Sequence, residues 1–202
     1  MASRESARYG ITLLLQNHHD LACHYEQLVW LLEEVNEPNL KVAFDAWAPH
    51  LQGISGEELV TAVKKLARWL AFTTVADYVA QPRFRYDPEQ VNYIPEQPPL
   101  MRAVAPGTGQ VDYKSFFRGL DAIDYRGPVA FEMCAVLKGG GSLENLDSIA
   151  RGFPDFLRHI RSERIDQCQR ACVSLDAIET AFYARPLCKH HRVRVMIETF
   201  SS

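Results

Sequence analysis

Short apolar runs alternate with amphipathic stretches along the chain, and the alternation predicts β/α units. "YGITLLL", Tyr9 to Leu15, reads as a buried strand. "DLACHYEQLVWLLEEV" then sets Leu21, His24, Leu28, Leu31, Leu32 and Val35 at helical spacing, with Asp20 as the expected N-cap. "LKVAFDAW" predicts a second strand finishing at Asp45. "SGEELVTAVKKLARWL" predicts a helix opened by Ser55 and Glu58 in capping-box spacing. "LAFTTVADY", rich in β-branched residues, predicts a third strand.

The pattern then lapses. Val79 to Gln110 holds six of the eleven prolines and little periodicity, so it reads as a long irregular, lid-like segment. Phe84, Tyr86 and Tyr93 are interleaved there with Arg83, Arg85 and Arg102. Periodicity returns with "VDYKSFFRGLDAIDY" as a helix and "GPVAFEMC" as a fourth strand ending at Glu132. "KGGGS" turns into "LENLDSIARGFPDFLRHI", a helix expected to kink or break at Pro154.

Strand–helix repetition of this kind predicts an α/β fold of parallel units with right-handed crossovers. The strands are almost continuously apolar, as when both faces of a sheet are covered. An open doubly wound sheet and part of a (β/α)8 barrel both satisfy this. No G-x-G-x-x-G follows the first strand, which weakens the dinucleotide-binding form of the open sheet. Polar residues end all four strands instead: Gln16, Asp45, Thr73 with Thr74, and Glu132. A barrel builds its site at that end.

Composition narrows the picture further. A chain of 202 residues, 47% hydrophobic, can bury a sizeable core. A formal charge of −3 gives no footprint for nucleic acid or an anionic membrane. No apolar run approaches the roughly 20 residues of a membrane helix, and "MASRESARYG" has no apolar leader region. Five cysteines without framework spacing favour a reducing compartment, so the expected location is cytoplasmic.

Gln16, Asp45, His50 and Glu132 each follow a strand and converge if the strands lie side by side. Such an oxygen-rich set with one nitrogen suits Mg²⁺, Mn²⁺ or Co²⁺. The ion would polarise a carbonyl and its neighbouring hydroxyl while a carboxylate moves the proton between them. That is aldose–ketose isomerase and ketose epimerase chemistry. A strand-end Asp also caps a following helix, so Asp45 has a structural reading as well. Glu132, set among apolar neighbours in "FEMC", is harder to explain structurally. His18, His19 and His24 read as supporting or helix-surface side chains.

"LLLQNHHD", "FDAWAPH", "TTVADY" and "PGTGQVDYKSFFRGLDAIDYRGPVAFEMC" together resemble the C-terminal half of the sugar phosphate isomerase/epimerase family, which are xylose isomerase-like TIM barrels. The resemblance covers about residues 8 to 160 and implies four metal ligands: a Glu, an Asp, a His and a Glu. Asp45 and Glu132 match. Gln16 replaces the first Glu, and the His window holds Phe72, Thr73 and Thr74. Arg83 or Arg85 would bind substrate, as would His18. A glutamine donates a carbonyl oxygen but is no base, leaving a single-base route through Glu132 or lyase chemistry.

The implied organisation is a half barrel over residues 1–161 and a divergent tail over 162–202. A half barrel is expected to be a shortened reading frame, to pair with a second copy, or to await a missing N-terminal half. The tail carries Cys168, Cys172, Cys188, His190 and His191, a weak zinc pattern, or else is an irregular extension. The expected function is metal-assisted isomerisation or epimerisation of a small sugar or polyol. The rival is a non-catalytic carbohydrate-binding or scaffold relative that has lost the metal.

Overall fold

A computed structural model describes residues 2–18, 20–133 and 135–175. The elements are α1 (Ala2–Ala7), β1 (Leu13–Gln16), α2 (Tyr25–Val35), β2 (Leu40–Asp45), α3 (Trp47–Leu51) and α4 (Gly56–Leu66). They continue with β3 (Leu70–Val75), β4 (Asp77–Asp87), β5 (Asn92–Val104), α5 (Tyr113–Ala122), β6 (Val129–Phe131) and α6 (Leu143–Leu175). β1, β2, β3 and β6 form one parallel sheet in that order. The α/β assignment and all four predicted parallel strands are therefore present. β1 and β6 each pair on one side only among the described residues.

The core lies between this sheet and its helices. Val42 and Phe44 from β2 and Val75 from β3 meet Leu28 and Leu32 of α2, Leu59, Val63 and Leu66 of α4, Phe116 of α5 and Phe153 of α6. All are essentially excluded from water, and each such side chain contributes about 1.5–3 kcal/mol on burial. The β2–β3 ladder slips once, between Val42 and Ala43: Val42 pairs with Leu70 but Ala43 with Phe72. The bulge advances β3 by one residue, which sets Thr74 opposite Asp45.

Local details differ from the sequence expectations. The first strand starts at Leu13 rather than Tyr9, because helix α1 and a turn take up the preceding residues. Helix α2 starts at Tyr25, not after Asp20: a 3₁₀ turn spans Asp20–Ala22, and the His24 ring accepts from the Glu26 N–H as N-cap. Helix α6 runs through Pro154 without a break, and it crosses the expected 161/162 boundary as far as Leu175. Cys168 and Cys172 fall on it, while Cys188, His190 and His191 lie outside the described residues.

The largest correction concerns residues 79–110. In place of an irregular lid, β4 and β5 form an antiparallel ribbon with strands of 11 and 13 residues. Both faces of its outer part meet solvent, so neither buries an apolar set and no period of two is imposed on the sequence. Every strand of a two-stranded sheet is also an edge, where Pro82, Pro95, Pro98 and Pro99 are tolerated despite their missing N–H groups. The base of the ribbon is anchored by Tyr78, whose ring packs 3.9 Å from that of Trp47 on α3.

The capping box is also replaced. Ser55 is the N-cap of α4, but its side chain makes no capping hydrogen bond. Asp112 supplies the acceptor from a distance: one oxygen takes the Gly56 N–H at 2.8 Å and the other the Ser115 N–H at 3.0 Å. One carboxylate thus closes the N-termini of α4 and α5 together, where both helix dipoles favour a negative charge. Burial opposes its ionisation, but the Gly56 and Ser115 N–H groups and Arg118 outweigh that and hold its pKa below the usual Asp value.

Asp112→Ala should therefore cost about 1–3 kcal/mol in urea unfolding near neutral pH, whereas Ser55→Ala should cost less than about 0.5 kcal/mol. A depressed carboxyl pKa stabilises the fold above its unfolded value and loses that contribution as pH falls through the folded value. The gap between wild type and Asp112→Asn should accordingly shrink below about pH 4.

Candidate active site at the strand ends

Four side chains meet beyond the C-terminal ends of β1, β2 and β6. The Gln16 Nε2 donates to Glu132 Oε2 at 3.1 Å. The same nitrogen lies 3.5 Å from His18 Nε2, which lies 3.3 Å from Asp45 Oδ2. Glu132, Gln16, His18 and Asp45 are thereby linked in one polar chain. The geometry follows from the fold: Gln16 ends β1, Asp45 ends β2, and Glu132 continues the β6 ladder through its N–H to the Val75 carbonyl.

Asp45 takes the structural one of its two sequence readings, the helix cap. Its Oδ1 accepts from the Trp47 and Ala48 N–H groups at 2.8 and 3.0 Å, capping α3. Its Oδ2 is buried and, among the described residues, makes no aligned hydrogen bond but an ion-pair contact with His18. A ring nitrogen cannot donate to Asp45 and accept from Gln16 at the same time. The Asp45 contact is the shorter of the two. Asp45 raises the His18 pKa above that of an ordinary imidazole; burial opposes this, and the charge of Glu132 adds to it.

Two residues that position the site carried no assigned role in the sequence. Asn17, fully buried, clamps the Asp45 backbone: its Nδ2 donates to the Asp45 carbonyl and its Oδ1 accepts the Asp45 N–H. This amide extends the β1–β2 ladder by one pseudo-residue and fixes where the Asp45 side chain starts. The cluster after Leu15 advertised polarity, but a partner 28 residues away is invisible in a local pattern. Asp77 is the second. Its Oδ2 accepts the N–H groups of Gly107 and Gly109 at 2.8 Å each, and its Oδ1 those of Tyr78 and Val111. It holds the "PGTG" turn shut. A Cβ on Gly109 would overlap that carboxylate and the Tyr78 carbonyl, which is why glycine stands there.

The other candidates sit elsewhere. His50 lies in α3 with its ring stacked on Trp47, centroids 5.7 Å apart. Arg83 and Arg85 are on the ribbon, at 2.9 and 3.8 Å from the Glu96 carboxylate. Thr73 is buried and donates to the Phe44 carbonyl, while the buried Thr74 hydroxyl, beside Asp45, has no hydrogen-bond partner among the described residues. His19 lies outside the described residues.

Among the described residues the side chains as they stand do not form a cradle for a divalent ion. Among the described residues no three His, Cys, Asp or Glu side chains group closely enough to bind one. The place between Glu132 and His18 is taken by an amide that presents hydrogens rather than an oxygen to the carboxylate. A hydroxyl stands in the Thr74 position, where the resemblance calls for an imidazole.

Solved structures share this architecture. A xylose isomerase domain protein from Planctomyces limnophilus aligns at 22% identity and a TM-score of 0.51, covering 79% of this chain and 49% of that one. An L-ribulose 3-epimerase aligns at 14% and 0.53, covering 89% and 55%. D-psicose 3-epimerase from Clostridium cellulolyticum H10, solved with D-tagatose, aligns at 16% and 0.55, covering 78% and 52%. The chain thus spans about half the length of these structures. No curated protein matches the sequence. No helix among the described residues is long and apolar enough to cross a membrane. Residues 2–160 match the family described as xylose isomerase-like TIM barrel, and the chain belongs to that family.

Proposed function

We propose that the strand-end mouth binds a small sugar or polyol and that Glu132 transfers a proton at the carbon next to its carbonyl. The observation that carries this reading is the polar chain of Glu132, Gln16, His18 and Asp45 at the end of the sheet where barrels place their chemistry. In the step, the carbon-bound proton passes to the Glu132 carboxylate. The electron pair left on carbon shifts to give the enolate oxygen, and return of a proton restores the carbonyl compound. The Thr74 hydroxyl, which has no hydrogen-bond partner among the described residues, is a donor available to an oxyanion there. Return to the same carbon from the other side, which would give an epimer, needs a second acid on the face opposite Glu132. Return to the neighbouring carbon gives the isomer.

D-tagatose and D-fructose, named with the structurally similar epimerases, are suitable probes. Each would be incubated with the protein in heavy water and followed by NMR. Deuterium entering the position next to the carbonyl supports the reading, whether or not a new sugar accumulates. Gln16 and Thr74, standing where an acid and an imidazole are expected, favour a second reading: a sugar-binding protein without turnover. Binding by calorimetry with no deuterium uptake would select it. If neither sugar binds or exchanges, both readings fail.

A further inference from the structure

Two carboxylates at one mouth need positive partners, and a bridging divalent ion is the usual way to supply them. Here each carboxylate is served separately. Asp45 is held by two backbone N–H groups and the His18 ring. Glu132 takes an amide N–H of Gln16, whose nitrogen also touches His18. We propose that the Gln16 amide occupies the bridging position of an ion, so that the mouth is assembled and takes its sugar without a divalent metal.

The chemistry of the donor set supports this. A carboxylate only accepts hydrogen bonds, so an amide beside Glu132 turns its N–H₂ side to it. To admit an ion the amide would have to rotate, give up that bond and offer a neutral oxygen in return. The ion would lose one anionic ligand and find a hydroxyl at Thr74 in place of an imidazole. Hard divalent ions are held mainly by charged oxygens, so both changes weaken binding. Gln16 is therefore a positioning residue: its amide acts on Glu132 and His18 rather than on the reacting carbon.

The inference rests on the sugar reading only for its ligand half, and the test separates the two. Mn²⁺ is titrated into the full 202-residue chain and free ion is read by electron paramagnetic resonance. D-fructose binding is measured by calorimetry with chelator and with Mn²⁺. The wild type is expected to leave Mn²⁺ free and to bind D-fructose equally in both buffers. Gln16→Glu adds a third carboxylate and should tighten Mn²⁺ by at least about tenfold, a gain that mere structural support by Gln16 would not produce. Gln16→Leu should weaken D-fructose by about tenfold through loss of the N–H on Glu132, with circular dichroism reporting the fold of each variant. Wild-type uptake of Mn²⁺ that Glu132→Gln abolishes would overturn the inference even if no Gln16 variant folds. Mn²⁺ silence in the wild type with gain in Gln16→Glu, but no sugar bound anywhere, would remove the sugar reading and leave the amide-for-ion exchange standing.

Discussion

Asp77→Ala should destabilise the fold by about 3–5 kcal/mol, since each buried donor left unsatisfied costs about 1–3 kcal/mol and water can reach only part of the loop. The carboxylate accepts from Tyr78, Gly107, Gly109 and Val111, so its removal strips all four donors of that acceptor at once. Asp77→Asn should recover part of the loss, because an amide oxygen accepts two of the four, but its N–H₂ must face N–H groups. Chemical denaturation gives the magnitude. Hydrogen exchange at Gly107 and Gly109 gives the location, with protection at these amides lost first. Wild-type protection in Asp77→Ala would show that the turn stands without its anchor.

The second large effect is expected on chemistry rather than stability. Glu132→Gln keeps the side-chain shape and an oxygen to accept from Gln16, but removes the base. Deuterium uptake into D-fructose should fall by about 10²–10⁴-fold, the usual contribution of a positioned general base, while the dissociation constant stays within about threefold. Unchanged uptake would move the proton transfer to another group, with His18 the next in the chain of contacts. A parallel loss of binding would mean that Glu132 holds the sugar rather than the proton.

The sequence disclosed whatever is buried on a regular period. β2 and β3 show as apolar runs because their C-terminal halves are buried on both faces, and Asp45 and Glu132 stand out because charge interrupts or ends an apolar run. The ribbon was hidden because solvent on both sides removes the alternation that marks a strand, and its prolines argued for loop. Asn17 and Asp77 were hidden for a different reason. Their partners are backbone groups, which carry no residue-type signature, and they lie up to 34 positions away in sequence. The same holds at the start of α4, where Ser55 and Glu58 satisfy the local rule and Asp112 makes the bond. The sequence offers His18 only as a supporting or substrate-binding side chain, because its contact with Asp45 depends on the β1–β2 register.

The shared carboxylate of Asp112 also has a consequence for biosynthesis. Gly56 leaves the ribosome 56 residues ahead of the group that caps it. At roughly 5–20 residues per second this helix start waits roughly 3–11 s for its acceptor. Its first turn is therefore expected to stay frayed on the nascent chain until the following helix arrives, so that the two helix starts close together.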